Sequence, residues 1–292
     1  MLIAHMKRQY LVLTIGVISV SFAAIFVRLA EAPPLVVATY RLCLASLIIV
    51  PVALVHSGNE LRHLSRRNIM MASLSGAFLA LHFGLWIASL RYTSVATSVM
   101  LVTTSPIFVA IVSYFLLQEK LSKQTILGIV ISLIGSFLIG YGNWRLGANS
   151  LFGGILAFLG ALAVAGYLLI GRLLRRSIGF LSYVSLVYGS AAVLLLLSTI
   201  AFGYSLVGYS PTTYTMLALL AVVPQLIGHS AFNWSLRFLP ATLITIAILG
   251  EPVGAAILAS LILNEMPTLS EIGGGILILV GIFIAFRNIE IL

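Results

Sequence analysis

The chain has 292 residues, of which 61% are hydrophobic and 8% charged, with a mean hydropathy of +1.17 and a formal charge of +9. A soluble domain carries about 25% charged residues, so a water-soluble enzyme or nucleic-acid binder is excluded. All seven acids are Glu, no Gly-Lys pair occurs and Cys43 stands alone, which removes Asp-rich cation sites, a Walker A motif and an internal disulfide.

A spanning helix needs about 20 mostly apolar residues. Ten segments satisfy this: 10–29, 33–55, 69–90, 93–118, 124–142, 150–171, 180–202, 212–236, 239–264 and 271–287. The breaks between them are short and carry turn residues, as in Glu31-Ala32-Pro33-Pro34, Gly58-Asn59-Glu60, Gly147-Ala148-Asn149 and Ser210-Pro211. Ala30-Glu31-Ala32 has the look of a signal-peptide cleavage site. The apolar run before it exceeds the usual h-region and Pro33 would follow the cut, so the first segment reads as a span.

The basic residues set an expected orientation. With a cytoplasmic N-terminus, Lys7, Arg8, Arg62, Arg66, Arg67, Lys120, Lys123, Arg172, Arg175, Arg176, Arg237 and Arg287 lie inside. Arg28, Arg91 and Arg145 lie outside and Arg41 is embedded. That imbalance over short loops predicts cytoplasmic termini.

A shift of 146 residues superposes the two halves. Ser89-Leu90-Arg91 falls on Ser235-Leu236-Arg237, Pro106 on Pro252, Glu119 on Glu265, Gly128 on Gly274 and Gly135 on Gly281. Residues 1–146 and 147–292 are therefore two repeats of five spans. An odd number of spans per repeat turns the second copy upside down, a common plan of secondary transporters. The expected fold is an all-α polytopic membrane protein of ten transmembrane helices in two inverted five-helix repeats.

Several of the motifs resemble a known family. Leu90-Arg91-Tyr92-Thr93, Thr104-Ser105-Pro106-Ile107-Phe108 and Leu117-Gln118-Glu119-Lys120-Leu121 are similar to the signature of the EamA family, within the drug/metabolite transporter superfamily. The second half repeats it as Leu236-Arg237-Phe238, Gly250-Glu251-Pro252-Val253 and Leu263-Asn264-Glu265. Arg41 resembles the family's second-helix arginine. The resemblance implies ten helices, a central cavity between the repeats and secondary transport, and it extends to the YddG-type amino-acid exporters. Gln118 and Asn264 stand where Gly is common, which should affect helix ends and not chemistry.

Polar groups inside the membrane are the functional candidates. Glu251 lies near the middle of its span, beside Pro252, and its repeat counterpart Ser105 lies beside Pro106. Low dielectric disfavours an ionised carboxylate there. Glu251 either couples transport to protons or makes a structural bond, and the two prolines are expected to bend their helices. Arg41 either anchors a substrate carboxylate or ties helices together. The third span sets Ser75, Phe78, His82, Trp86 and Ser89 on one face, and the eighth sets Gln225, His229 and Asn233 on another. These stripes could line opposite walls of one cavity, with His82, Trp86, Tyr40, Tyr167, Gln225, His229 and Asn233 as the substrate-binding set. Two His without clustered carboxylates argue against a metal. Small-residue stripes, Gly128, Ser132, Ser136 and Gly140, then Gly153, Ala157 and Ala161, permit close helix packing, within the chain or in a homodimer.

The expected function is a secondary transporter of small organic metabolites in the cytoplasmic (inner) membrane, exporting amino acids or similar zwitterionic or neutral solutes by alternating access. A passive facilitator or channel, or a non-transporting scaffold, is the alternative. Neither paired carboxylates nor a nucleophile–base arrangement supports an enzyme. The partners expected are a small-molecule substrate and the lipid bilayer, with no cofactor and no nucleic acid.

Overall fold

The computed structural model describes residues 2–93, 95–119, 121–142, 148–263 and 268–287, with the backbone alone at 2–7, 96, 141–142, 148 and 263. Among these residues the chain is all-helical, with no strand. Ten stretches are long and apolar enough to cross a membrane, the same number as the sequence indicates. Lys120, Arg145, Gly147, Asn264 and Glu265 lie outside the described residues.

The first span is α1 (Leu2–Ser21) followed by α2 (Ala23–Leu29). The second, α3 (Pro34–His63), runs past the expected end at 55. Gly58-Asn59-Glu60 is not a loop: Ser57 leaves helical geometry at φ −133° and ψ 15°, and the helix resumes. The extra turn carries Glu60 to the start of α9 (Phe180–Ala201), where its carboxylate accepts from Gly179 N–H at 2.7 Å and Ser182 O–H at 2.5 Å. A carboxylate at a helix N-terminus satisfies donors that otherwise lack partners.

The third span, α4 (Arg66–Ser89), is unbroken. The fourth divides into α5 (Val95–Val102) and α6 (Ser105–Leu116). The ninth divides at the matching place, into α12 (Ala241–Ile248) and α13 (Glu251–Leu263). A proline ring clashes with the carbonyl four residues earlier. For Pro106 and Pro252 those residues are Val102 and Ile248, the last residues of α5 and α12. The expected bends are thus complete breaks, and each proline is the second residue of a new helix.

The fifth span, α7 (Lys123–Gly142), packs along α14 (Leu269–Phe286), the tenth. A Cβ on Gly128 would meet the carbonyl of Gly281, and one on Gly135 the carbonyl of Gly274. Ser132 Oγ donates to Ile278 O at 3.3 Å. The contacts run in opposite order along the two helices, which are therefore antiparallel, and 132 and 278 are equivalent under the 146-residue shift. The rest of the small-residue stripe faces α5: Ser136 Oγ meets Thr103 Oγ1 at 3.1 Å, and Gly140 packs on Met100. The stripe is used within the chain.

The sixth span, α8 (Ala148–Leu174), packs on α4, and α9, the seventh, packs on α3 and α4. The eighth consists of α10 (Pro211–Leu220), a π-helical segment (Ala221–His229) and α11 (Ser230–Ser235). The main buried core lies where α3, α4, α8, α9 and this span converge.

Candidate functional site

Arg41 sits in α3 among the buried residues Val37, Ala38 and Leu42 and is itself 1% exposed. Its Nε donates to Gln225 Oε1 at 2.8 Å, and its guanidinium carbon lies 3.9 Å from the centre of the Phe83 ring. A desolvated cation–π contact of this kind contributes about 2 kcal/mol. Arg41 Nη1 has no hydrogen-bond partner, nor has Gln225 Nε2.

Gln225 and His229 owe their positions to the π segment. Pro224 lies inside it and cannot donate to the helical ladder. The Gln225 carbonyl, which takes the Ser230 backbone N–H, also accepts from Tyr188 O–H at 3.3 Å and Ser230 O–H at 3.4 Å. Such π turns often occur at functional sites. His229 forms an edge contact with Phe83 at 5.1 Å between ring centres and lies 6.4 Å from His82. Its Nδ1 has no partner. Phe83 and His229 are a second pair of repeat-equivalent positions that touch.

His82 points its Nδ1 at the Gly160 carbonyl, 3.0 Å away. A carbonyl only accepts, so Nδ1 carries the proton, and neutral His82 keeps Nε2 as an acceptor. The Trp86 ring lies parallel to it at 6.2 Å, and Trp86 Nε1 is buried without a partner. The ends of the same stripe are structural ties. Ser75 Oγ meets Tyr183 Oη at 2.8 Å, and Ser89 Oγ donates to Trp86 O at 2.6 Å.

Tyr167 and Asn233 bond to each other. Tyr167 O–H donates to Asn233 Oδ1 at 2.7 Å, and Asn233 Nδ2 donates to Tyr188 Oη at 3.3 Å. Both ends of the Asn233 amide are engaged, so it positions the two tyrosines. Tyr167 also reaches the ring of His229, at 6.1 Å. Tyr40 stands apart: its O–H donates to Leu206 O at 2.6 Å, and its ring packs on Tyr214. Adjacent residues on a helix point about 100° apart, so Arg41 faces the centre and Tyr40 does not.

Glu251 is half-buried and opens α13 immediately after the break. Arg41 and Glu251 are close enough to influence each other electrostatically. Arg41 gives its hydrogen bond to Gln225 all the same. The sequence reading missed Phe83 and Tyr188. Phe83 was legible as the repeat counterpart of His229, whereas Tyr188 carried no signal beyond being a tyrosine in a span.

The basic ends of the helices carry a second polar cluster. Arg172 Nε donates to Glu119 Oε1 at 2.9 Å and Nη1 to Leu236 O at 2.8 Å, while Arg176 Nη2 reaches the same Glu119 oxygen at 3.2 Å. Arg175, just past α8, donates from Nε to Asn233 O at 3.0 Å and also bonds Ile178 O. Burial, then the nearby Arg237, lowers its guanidinium from the ordinary value to about 10.

The chain is similar to known proteins over most of its length. A family model described as the EamA-like transporter family matches residues 7–141 and again 151–287. The uncharacterized transporter YdfC of Bacillus subtilis is 25% identical over 280 residues, covering 95% of this chain and 90% of its own. An uncharacterized transporter of Archaeoglobus fulgidus is 24% identical over 283 residues, covering 94% of this chain and 95% of its own. A solved crystal structure, 17% identical, shares the fold with a TM-score of 0.79 over 96% of this chain and 98% of that one. These relatives are named as transporters and not as enzymes. Matched by one transporter model in each half, this multi-pass membrane chain belongs to the EamA-like transporter family.

Proposed function

We propose that the protein is a secondary transporter of small organic metabolites across the cytoplasmic membrane. In this reading it exports amino acids or similar zwitterionic or neutral solutes, as the YddG-type members do, by alternating access between residues 1–146 and the inverted repeat 147–292. One observation carries it. Arg41 Nη1, Trp86 Nε1, Gln225 Nε2 and His229 Nδ1 are buried without partners, and they come from three spans of both halves. Each unsatisfied buried polar atom costs about 1–3 kcal/mol. Arg41 and Gln225 are bonded to each other, and His229 meets the same Phe83 ring that covers Arg41, which suits a site whose partner is a transient ligand.

The antiparallel crossing at Ser132 and Ile278, and the touching equivalents Phe83 and His229, support the inverted relation. The twelve-to-three count of Lys and Arg supports cytoplasmic termini. A cysteine at Gly208 should then label from outside intact cells, and one at Arg66 only after permeabilisation. Labelling at 66 in intact cells would reverse the orientation.

The deciding experiment is a substrate panel in proteoliposomes with an imposed gradient. Accumulation above the equilibrium level is expected for at least one solute. Flux that stops at equilibration for every solute would make the protein a facilitator, and no flux would leave a scaffold.

A further inference from the structure

We propose that Arg41 and Gln225 form a carboxylate anchor, so that the site selects acids over their amides and decarboxylated amines. This rests on the transport reading and names the substrate class of that site.

The donor inventory points to it. The Arg41 Nε bond to Gln225 Oε1 fixes the guanidinium by one edge and turns the amide so that its nitrogen is free. Arg41 Nη1 and Gln225 Nε2 remain as buried donors without partners, with Trp86 Nε1 as a third. All three groups can only donate. Two unpaired donors on the bonded Arg41–Gln225 pair call for an acceptor, and a guanidinium binds a planar two-oxygen acceptor best.

Geometry and charge narrow the choice. Phe83 covers one face of the guanidinium at 3.9 Å, so a ligand approaches its open edge, as two-point carboxylate binding requires. Arg41 balances a single negative charge. A phosphate-sized dianion would leave excess negative charge beside Glu251 in a low-dielectric place. Glu251, close enough to Arg41 to act on it electrostatically, would meet the ammonium end of a zwitterion held there. The rings of His82, Phe83, Trp86 and His229 supply an apolar wall for the rest of the solute. An amino-acid-like zwitterion fits this set, with its carboxylate at Arg41.

The test is equilibrium binding to the purified full chain, using the natural amino acids, their amides and their decarboxylated amines. Acids should bind roughly tenfold or more tightly than the matching amides. Gln225→Glu keeps an acceptor for Arg41 Nε but replaces the free donor with negative charge. It should lower acid affinity by roughly tenfold or more and spare or improve the amines. Arg41→Lys keeps the charge, loses the fork, and should weaken acids alone. Equal binding of acids and amides, no binding by any acid, or an unchanged acid-to-amine ratio in Gln225→Glu would overturn the anchor. Proteoliposome flux separates the two readings. Acid-selective binding without accumulation keeps the anchor and removes transport. Accumulation of amides and amines as readily as acids keeps transport and removes the anchor.

Discussion

The two halves share their backbone devices and differ in their chemistry. Both break a span four residues before a proline, at Val102 and at Ile248. Both use glycines where α7 crosses α14. At the centre the equivalents diverge: Ser105 against Glu251, Leu79 against Gln225, Phe83 against His229, and Trp86 against Phe232. The third span is an unbroken α-helix, and its counterpart, the eighth, contains a π segment. The frame follows positions that match under the 146-residue shift, and the candidate polar groups lie where that match fails. Substitutions that restore the match are therefore the sharpest probes.

The largest effect is expected at Glu251. Read as the proton-coupling group, Glu251 binds and releases a proton as each side opens in turn. Glu251→Gln should abolish gradient-driven accumulation yet permit exchange of substrate down its own gradient, and Glu251→Ala should harm both. Ser105→Ala, at the equivalent break, should cost no more than about fivefold, the worth of one ordinary hydrogen bond. Full accumulation in Glu251→Gln, with an unchanged pH profile, would make the two breaks functionally alike.

Trp86→Phe copies Phe232 into the first half. It keeps an aromatic ring and removes only the buried N–H donor. Affinity should fall by roughly five- to tenfold with an unaltered elution profile, the value of one hydrogen bond to a polar ligand. Unchanged affinity would place that N–H outside the site.

The crossing of α7 and α14 should respond equally from either side. Gly135→Ala and Gly274→Ala each drive a methyl toward the other's carbonyl, at a cost of about 1–3 kcal/mol in thermal unfolding in detergent. Gly273→Ala, one residue away, meets nothing within 4 Å and should be neutral or stabilising by up to about 1 kcal/mol. Unequal losses at 135 and 274 would show that the crossing is not symmetric.

The smallest effect is expected where α6 ends. Gln118 has φ +54°, a left-handed conformation suited to Gly, and Glu119 N–H then returns to Ser113 O at 3.1 Å. Gln118→Gly should stabilise by about 1 kcal/mol without altering transport.

Hydropathy made the ten spans legible, because lipid demands about 20 apolar residues whatever their packing. Pro106 and Pro252 made the two breaks legible through a local steric rule. The turn after Ser57 was misread as a loop, since its helical state depends on Glu60 reaching residues 179 and 182. The π segment was hidden because Gln225 and His229, four apart, share a face in either kind of helix. Arg41 stood out as an embedded charge, but its partner lies 184 residues away and no local pattern joins them. Tyr40 was placed in the substrate-binding set as a tyrosine in a span, but its hydroxyl bonds Leu206 O and its ring packs on Tyr214.

Asn233 joins the two polar clusters. Its side chain holds Tyr167 and Tyr188, and its carbonyl holds Arg175 at the basic ends. A motion that spreads those ends must either break the Arg175 bond or drag the two tyrosines with it. In the second case, opening that side and loosening the grip on a solute are one mechanical event. The residue then behaves as a crank, and a solute resting on Tyr167 would lose that contact in the same stroke that uncovers its exit.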